Sequence, residues 1–259
     1  MRGRRPTGSG SSSRAVARTA LALAGLLAAV APATAAAAPR VKVMVHGPSE
    51  LLLAPRTVEA RGVLVRASGK RCRAGAGTAL AALAGARRAG GPSFAVRDDG
   101  GSCSRRARDS GALFVTQIGA NRNRGRDGWV YKVGNRAGTA GAADPSGSFG
   151  SGRLRAGDRV TWFWCRLARA GSCQRTLEVR PSRWRVARSA AVRVTVRGYD
   201  DFGRSRLVRG ARVRLGGRSA TTGRRGVAVL RAPGRSGWAR LTATRSGLVR
   251  AFDRRVRVR

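Results

Sequence analysis

Two pairs of aromatic residues stand at alternate positions in strand-like stretches. Trp129 and Tyr131 alternate in GWVYKVGN, residues 128–135, and Trp162 and Trp164 alternate in RVTWFWC, residues 159–165. Successive side chains of a strand point to opposite faces, so each pair shares a face. Left exposed, such rings form a flat platform on which a sugar or another ring stacks. Turned inward, they fill a small core. Trp129, Tyr131, Trp162 and Trp164 are the candidate ligand-binding residues.

The four cysteines are Cys72, Cys103, Cys165 and Cys173. Their number is even, no Cys-x-x-Cys occurs, and His46 is the one histidine, so zinc ligation is a poor fit. Two disulfides in an oxidising compartment are expected. Of the three pairings open to four cysteines, sequence separation favours Cys72–Cys103 and Cys165–Cys173. Loop-closure entropy assigns roughly 3.5 kcal/mol to the first and roughly 2.5 kcal/mol to the second.

Other residues offer less chemistry. General acid–base work wants a poised histidine or a close carboxylate pair. His46 lies near the start of the expected exported chain without a recognisable partner and reads as a surface strand residue. Asp98-Asp99 and Asp200-Asp201 stand beside glycines, as turn residues do, and a calcium site needs more oxygens at set spacing. GGRSATTGRRG, residues 216–226, lacks the Gly-Lys-Ser/Thr ending of a phosphate loop. The expectation is a protein that is not an enzyme, with no catalytic residue, no metal ligand and no cofactor.

The N-terminus sets the compartment. Arg2, Arg4, Arg5, Arg14 and Arg18 precede the apolar run Ala20–Ala31, and APATAAAAP follows with small residues suited to cleavage. That order reads as a secretory signal peptide, residues 1–37, cut after Ala36 or Ala37. The run is too short for the roughly 20 residues of a membrane-spanning helix, so no stable membrane insertion is expected. The chain carries 53 Lys plus Arg against 12 Asp plus Glu, a net charge of +41. Loss of the five N-terminal arginines leaves about +36. Only Lys42, Lys70 and Lys132 are lysines, a bias that GC-rich codon usage would also produce. Guanidinium groups bind phosphate and carboxylate bidentately whatever their origin. Because the charge is dispersed, it predicts diffuse affinity for polyanions, with no specific nucleic acid.

Hydropathy patterning supplies the elements. Strands are expected at 41–46, around Val63 and Val65, at SFAV, at 112–119, 129–133, 154–165 and 176–180. A short helix capped by Thr78 runs through Leu80, Leu83 and Ala84 to Gly90-Gly91-Pro92. Residues 134–152 read as a long loop and PSRWRVARSA, 181–190, as an interdomain linker. Beyond it AVRVTVRG puts Val192, Val194 and Val196 on one face, and ARVRLGG, GVAVL, WARLTAT and RRVRVR repeat that logic. Turns are expected at YDDFGRS, GGRSATTGRRG and APGRSG.

Residues 41–180 resemble the bacterial relatives of the transcobalamin C-terminal domain. The likeness rests on the strand near Val41, the helix around TALAAL, the strand ending Ile118-Gly119, GWVYKVGN, and the turn-strand LRAGDRVTWFWC. Gly134-Asn135 stands where the family usually has Asn-Gly, which bears on the turn type. Residues 191–259 resemble bacterial immunoglobulin-like or prealbumin-like modules of the carboxypeptidase-regulatory type, through GARVRLGGRSATTGRRGVAVL and LTATRSGLVRA. The resemblance implies an α+β, β-grasp-like N-terminal domain (38–180) with one short helix, then an all-β immunoglobulin-like sandwich (191–259). It implies a secreted, non-catalytic binding or surface-recognition protein. The alternative is a structural, adhesive protein whose arginines hold anionic cell-envelope polymers. Vertebrate cobalamin carriers close the related domain over the corrinoid with a large helical domain, so cobalamin ranks last here.

Overall fold

The computed structural model describes residues 37–101, 103 and 112–259. Residues 1–36, nearly all of the expected signal peptide, lie outside the described residues.

The first half is built on β1 (Arg40–His46), whose Val41, Val43, Met44 and Val45 are buried. Apolar residues on both faces mark a strand in the middle of a covered sheet. β2 (Leu51–Glu59) runs antiparallel to it. Pro55 hid this strand from the sequence reading, because proline cannot donate to a ladder. The structure admits it on an edge strand, where Ala54 and Pro55 bulge opposite Met44, between the pairs Val43–Arg56 and Val45–Leu53. β3 (Val63–Ala67) and β4 (Lys70–Ala74) form a hairpin that ends in α1 (Ala79–Arg88).

Thr78 caps α1 as expected, its hydroxyl accepting the Ala81 N–H at 3.2 Å. Residues 79–86 are all buried. At Gly85 a Cβ would stand 2.6 Å from the Glu59 carbonyl oxygen, so only glycine lets the helix lie this close to β2.

β5 (Phe94–Asp98), β6 (Leu113–Ile118), β7 (Asn121–Arg122), β8 (Gly128–Val133), β9 (Arg136–Ala137) and β10 (Arg159–Cys165) complete this half. Two sheets result, ordered β2-β1-β10-β8-β9 and β4-β3-β5-β6-β7. In the first, β1 and β10 pair in parallel while every other pair is antiparallel. The β8–β9 hairpin turns on Gly134-Asn135, between the paired Val133 and Arg136. Gly134 has φ of 60°, the glycine-first arrangement of a II′ turn. Both sheets and α1 share one apolar cluster.

The second half is a β-sandwich. β11 (Thr176–Pro181), β12 (Arg185–Val186), β13 (Ala191–Tyr199), β14 (Ser205–Leu207) and β15 (Arg212–Leu215) lead into β16 (Arg218–Thr221), β17 (Val227–Arg231), β18 (Gly237–Thr244) and β19 (Arg254–Val258). β13 pairs with β11, β14 and β17; the facing sheet runs β12-β19-β18-β15-β16. Val192, Val194 and Val196 are fully buried against Val213, Leu215 and Leu241. Each such side chain contributes roughly 1.5–3 kcal/mol of burial.

Two boundaries differ from the sequence reading. Thr176–Pro181, read as the end of the first domain, pairs with β13 and sends Leu177 and Val179 into the sandwich core. Residues 181–190, read as a linker, hold β12, which pairs in parallel with β19. Two residues give no periodicity to read. GGRSATTGRRG likewise holds β16, joined to β15 by the two-residue Gly216-Gly217 turn. A small third cluster of Met44, Phe163, Cys165, Val249 and Phe252 joins the halves, and residues 37–259 form one unit.

Candidate functional site

The register of β8 and β10 sets Trp162 opposite Tyr131 and Trp164 opposite Trp129. The Trp129 and Trp164 rings meet edge-on at 5.7 Å, and Tyr131 and Trp162 lie tilted at 5.2 Å. The structure brings the four candidates together but turns them inward, none more than 8% exposed. Trp129 Nε1 donates to the Asn121 carbonyl and the Tyr131 hydroxyl to that of Ala140, both at 2.7 Å. Burial pushes the Tyr131 phenol up to about 12, with the Ser148 hydrogen bond opposing and Asp144 adding to the rise. Of the two readings open to these rings, platform and core, the structure takes the core. β8 and β10 are interior strands, covered by the α1 cluster on one face and by Val249 and Phe252 on the other.

The two disulfides are those expected, Cys72–Cys103 and Cys165–Cys173, with Cα separations of 5.3 and 5.1 Å. Asp98 lies within 4.8 Å of the first pair's sulfurs, but both are committed to the bond, and the carboxylate accepts the Cys103 N–H at 3.1 Å. Asp200 caps its turn, accepting from Phe202 N at 3.1 Å and Arg204 N at 2.8 Å. His46, expected on the surface, is half-buried, and its Nδ1–H donates to the Gly47 carbonyl at 2.8 Å. Burial lowers its pKa, the Gly47 bond raises it, and Arg250 lowers it further.

Two polar clusters cross between the halves. Lys132 on β8 is fully buried. Its ammonium donates to the carbonyls of Tyr199 and Asp200 at 3.1 and 3.0 Å and pairs with Asp201 at 3.2 Å. Burial lowers its pKa, and Asp201 and Asp200 work against that. Glu178 on β11 gathers Arg254 at 3.2 Å, Arg159 at 3.5 Å and Asn135 Nδ2 at 3.2 Å. Burial alone would raise the Glu178 pKa; the hydrogen bond from Tyr199 and the charge of Arg159 lead the contacts that bring it below the usual carboxylate value.

Beside Glu178 opens a groove of about 1100 Å³. Lys42 and Thr57 contribute from the first sheet, Arg159 from β10, and Trp238 and Arg240 from β18. Trp184, Asp253, Arg254 and Arg255 complete the rim. Trp184 and Trp238 are 45% and 62% exposed. Arg254 lies over the Trp184 ring at 5.9 Å and Arg257 over the Trp238 ring at 5.5 Å. The sequence reading named neither indole as a site. A signal existed for Trp238: in WARLTAT the residues Ala239, Leu241 and Ala243 point inward, so Trp238 shares the outward parity of Arg240. Trp184 precedes a two-residue strand and gave none.

Comparison with family models, curated proteins and solved structures found no match to this chain.

Proposed function

We propose that this is an exported, non-catalytic extracellular binding protein whose partner is an anionic polymer of the cell envelope. The observation that carries this reading is the cation surplus of the groove. Lys42, Arg159, Arg240, Arg254 and Arg255 line it, and among the described residues the carboxylates paired with them are Asp253 and the adjoining Glu178. Asp253 is itself divided between Arg240 at 2.5 Å and Arg250 at 2.8 Å. Five cations against two carboxylates, one of them shared with Arg250, leave at least three positive charges for a ligand, and guanidinium suits carboxylate and phosphate. Two disulfides fit an oxidising, extracellular environment, as does the N-terminal signal pattern. No helix among the described residues is long and apolar enough to cross a membrane.

The first half reads as a β-grasp of the transcobalamin-like kind, supported by the order β2-β1-β10-β8-β9, its parallel central pair and the helix packed on it. The second half reads as an immunoglobulin-like or prealbumin-like module, supported by its two facing sheets. A second reading, an adhesive protein without a defined site, is favoured by the outward arginines of the sandwich, such as Arg193, Arg212, Arg214 and Arg257. Cobalamin stays last, since the rings that would meet a corrinoid are in the core.

Titration with polygalacturonate at about 50 and 300 mM salt tests the proposal. Three engaged charges make affinity fall by roughly one to two orders of magnitude between them. Arg240→Gln with Arg255→Gln flattens that dependence if the groove is the site and leaves it unchanged if adhesion is diffuse. Affinity independent of salt overturns both readings.

A further inference from the structure

The groove holds more than charge. Trp184 and Trp238 are the two most exposed indoles of the chain, and both line it. β12, which Trp184 precedes, and β18, which carries Trp238, flank β19 on either side. The Trp184 carbonyl accepts the Arg257 N–H at 2.8 Å, and Trp238 stands opposite the same Arg257. The backbones of these two residues are therefore about two strand spacings apart, roughly 10 Å. Both are fixed by sheet pairing, and each is braced by a guanidinium over its ring. An exposed indole in a cationic groove is idle toward a ligand that is charge alone. It acts on one with rings, whose apolar faces lie on the indole while its anionic groups meet the arginines.

Asp253 and Thr57 narrow the class. A carboxylate in a cationic groove repels any anion, but it also accepts hydrogen bonds from hydroxyl groups, which a polyphosphate chain lacks along its length. A ligand rich in rings, hydroxyls and carboxylates satisfies every part of this lining. Resting on the polyanion reading above, we infer that the groove is a site for an acidic polysaccharide, with Trp184 and Trp238 stacking two sugar rings of one chain and Arg240 and Arg255 holding its carboxylates. A single-stranded nucleic acid also carries rings and charge and stacks on aromatic platforms. The oxidising, extracellular environment implied by the disulfides favours the polysaccharide.

The test uses the exported protein and three polyanions of matched charge: polygalacturonate, linear polyphosphate and single-stranded DNA. Binding is followed by calorimetry and by tryptophan emission. Polygalacturonate is expected to bind at least tenfold more tightly than polyphosphate and to change the emission of the two exposed indoles. Trp184→Leu and Trp238→Leu each weaken polygalacturonate binding about tenfold, a loss of roughly 1.4 kcal/mol, and shift polyphosphate binding by less than twofold. Leucine keeps an apolar body, and an unchanged melting temperature certifies the fold; Trp238→Thr, at an exposed strand position, is the second variant. Equal affinity for polygalacturonate and polyphosphate, or variants that bind polygalacturonate like the parent, overturns the proposal while leaving the polyanion reading standing. Tighter binding of DNA, lost in the same variants, replaces the polysaccharide by nucleic acid. Absence of salt-dependent binding to all three overturns the polyanion reading itself.

Discussion

Replacing Lys132 by methionine isolates the contact that ties β8 to the β13–β14 turn. Methionine keeps the length of the side chain and removes its charge and three donors. The Tyr199 and Asp200 carbonyls and the Asp201 carboxylate then lose their partner together. Removing one member of a buried ion pair costs roughly 3–5 kcal/mol. Asp201 is 20% exposed and still accepts the Cys173 N–H at 2.9 Å, so the lower end, about 3 kcal/mol, is expected. Against a whole-domain stability of roughly 5–15 kcal/mol that is a large fraction. Adding Asp201→Asn removes the stranded charge and should recover about 1 kcal/mol of the loss. Lys132→Arg should also destabilise, because a wide planar fork replaces a point charge at a site with no exposed surface. Chemical denaturation followed by circular dichroism and tryptophan emission supplies the numbers. A Lys132→Met loss below about 1 kcal/mol, or an arginine variant as stable as the parent, refutes the reasoning.

Two further outcomes follow from the same structure. Tyr131, held up to about 12, and Tyr199, raised chiefly by burial and then by its bond to Glu178, are the only tyrosines. Above the unfolded pKa near 10 the unfolded chain loses its phenolic protons first, so stability is full below about pH 10. It falls by roughly 2–3 kcal/mol toward pH 12 from Tyr131 alone; phenolate absorbance rising at pH 10 in folded protein contradicts this. Replacing Cys72 and Cys103 by serine should cost about 3.5 kcal/mol, and replacing Cys165 and Cys173 about 2.5 kcal/mol, from the 31- and 8-residue separations. Melting curves check the order, and a larger loss for the shorter loop runs against the entropic account.

Periodicity made the long elements legible. β13 and β10 announce themselves by alternation, and α1 by Thr78 and Gly90-Gly91-Pro92. What was hidden had physical reasons. β2 carries Pro55 in a bulge, β12 is two residues long, and Thr176–Pro181 is apolar enough for either half, so only pairing decides its sheet. The aromatic quartet was legible as a constellation, with core and platform both open. Alternation says that rings share a face; whether helix or water covers it depends on α1, far away in sequence.

A charge of +41 does not by itself locate a site, because fifty arginines supply cations everywhere. What distinguishes the groove is how its cations are held. Glu178 is shared by Arg159 and Arg254, and Asp253 by Arg240 and Arg250. One carboxylate divided between two guanidiniums fixes both side chains and neutralises only half their charge. An arginine free on a strand face must lose up to roughly 2 kcal/mol of rotamer freedom when it grips an anion. For the guanidiniums that share Glu178 and Asp253 much of that loss is met on folding, so the charge left on them is pre-organised for a ligand. The many exposed arginines of the sandwich are freer, and their contribution to binding is correspondingly smaller per charge. Scarcity of acids, which in the composition looks like a mere imbalance, is what turns these shared carboxylates into a positioned surplus.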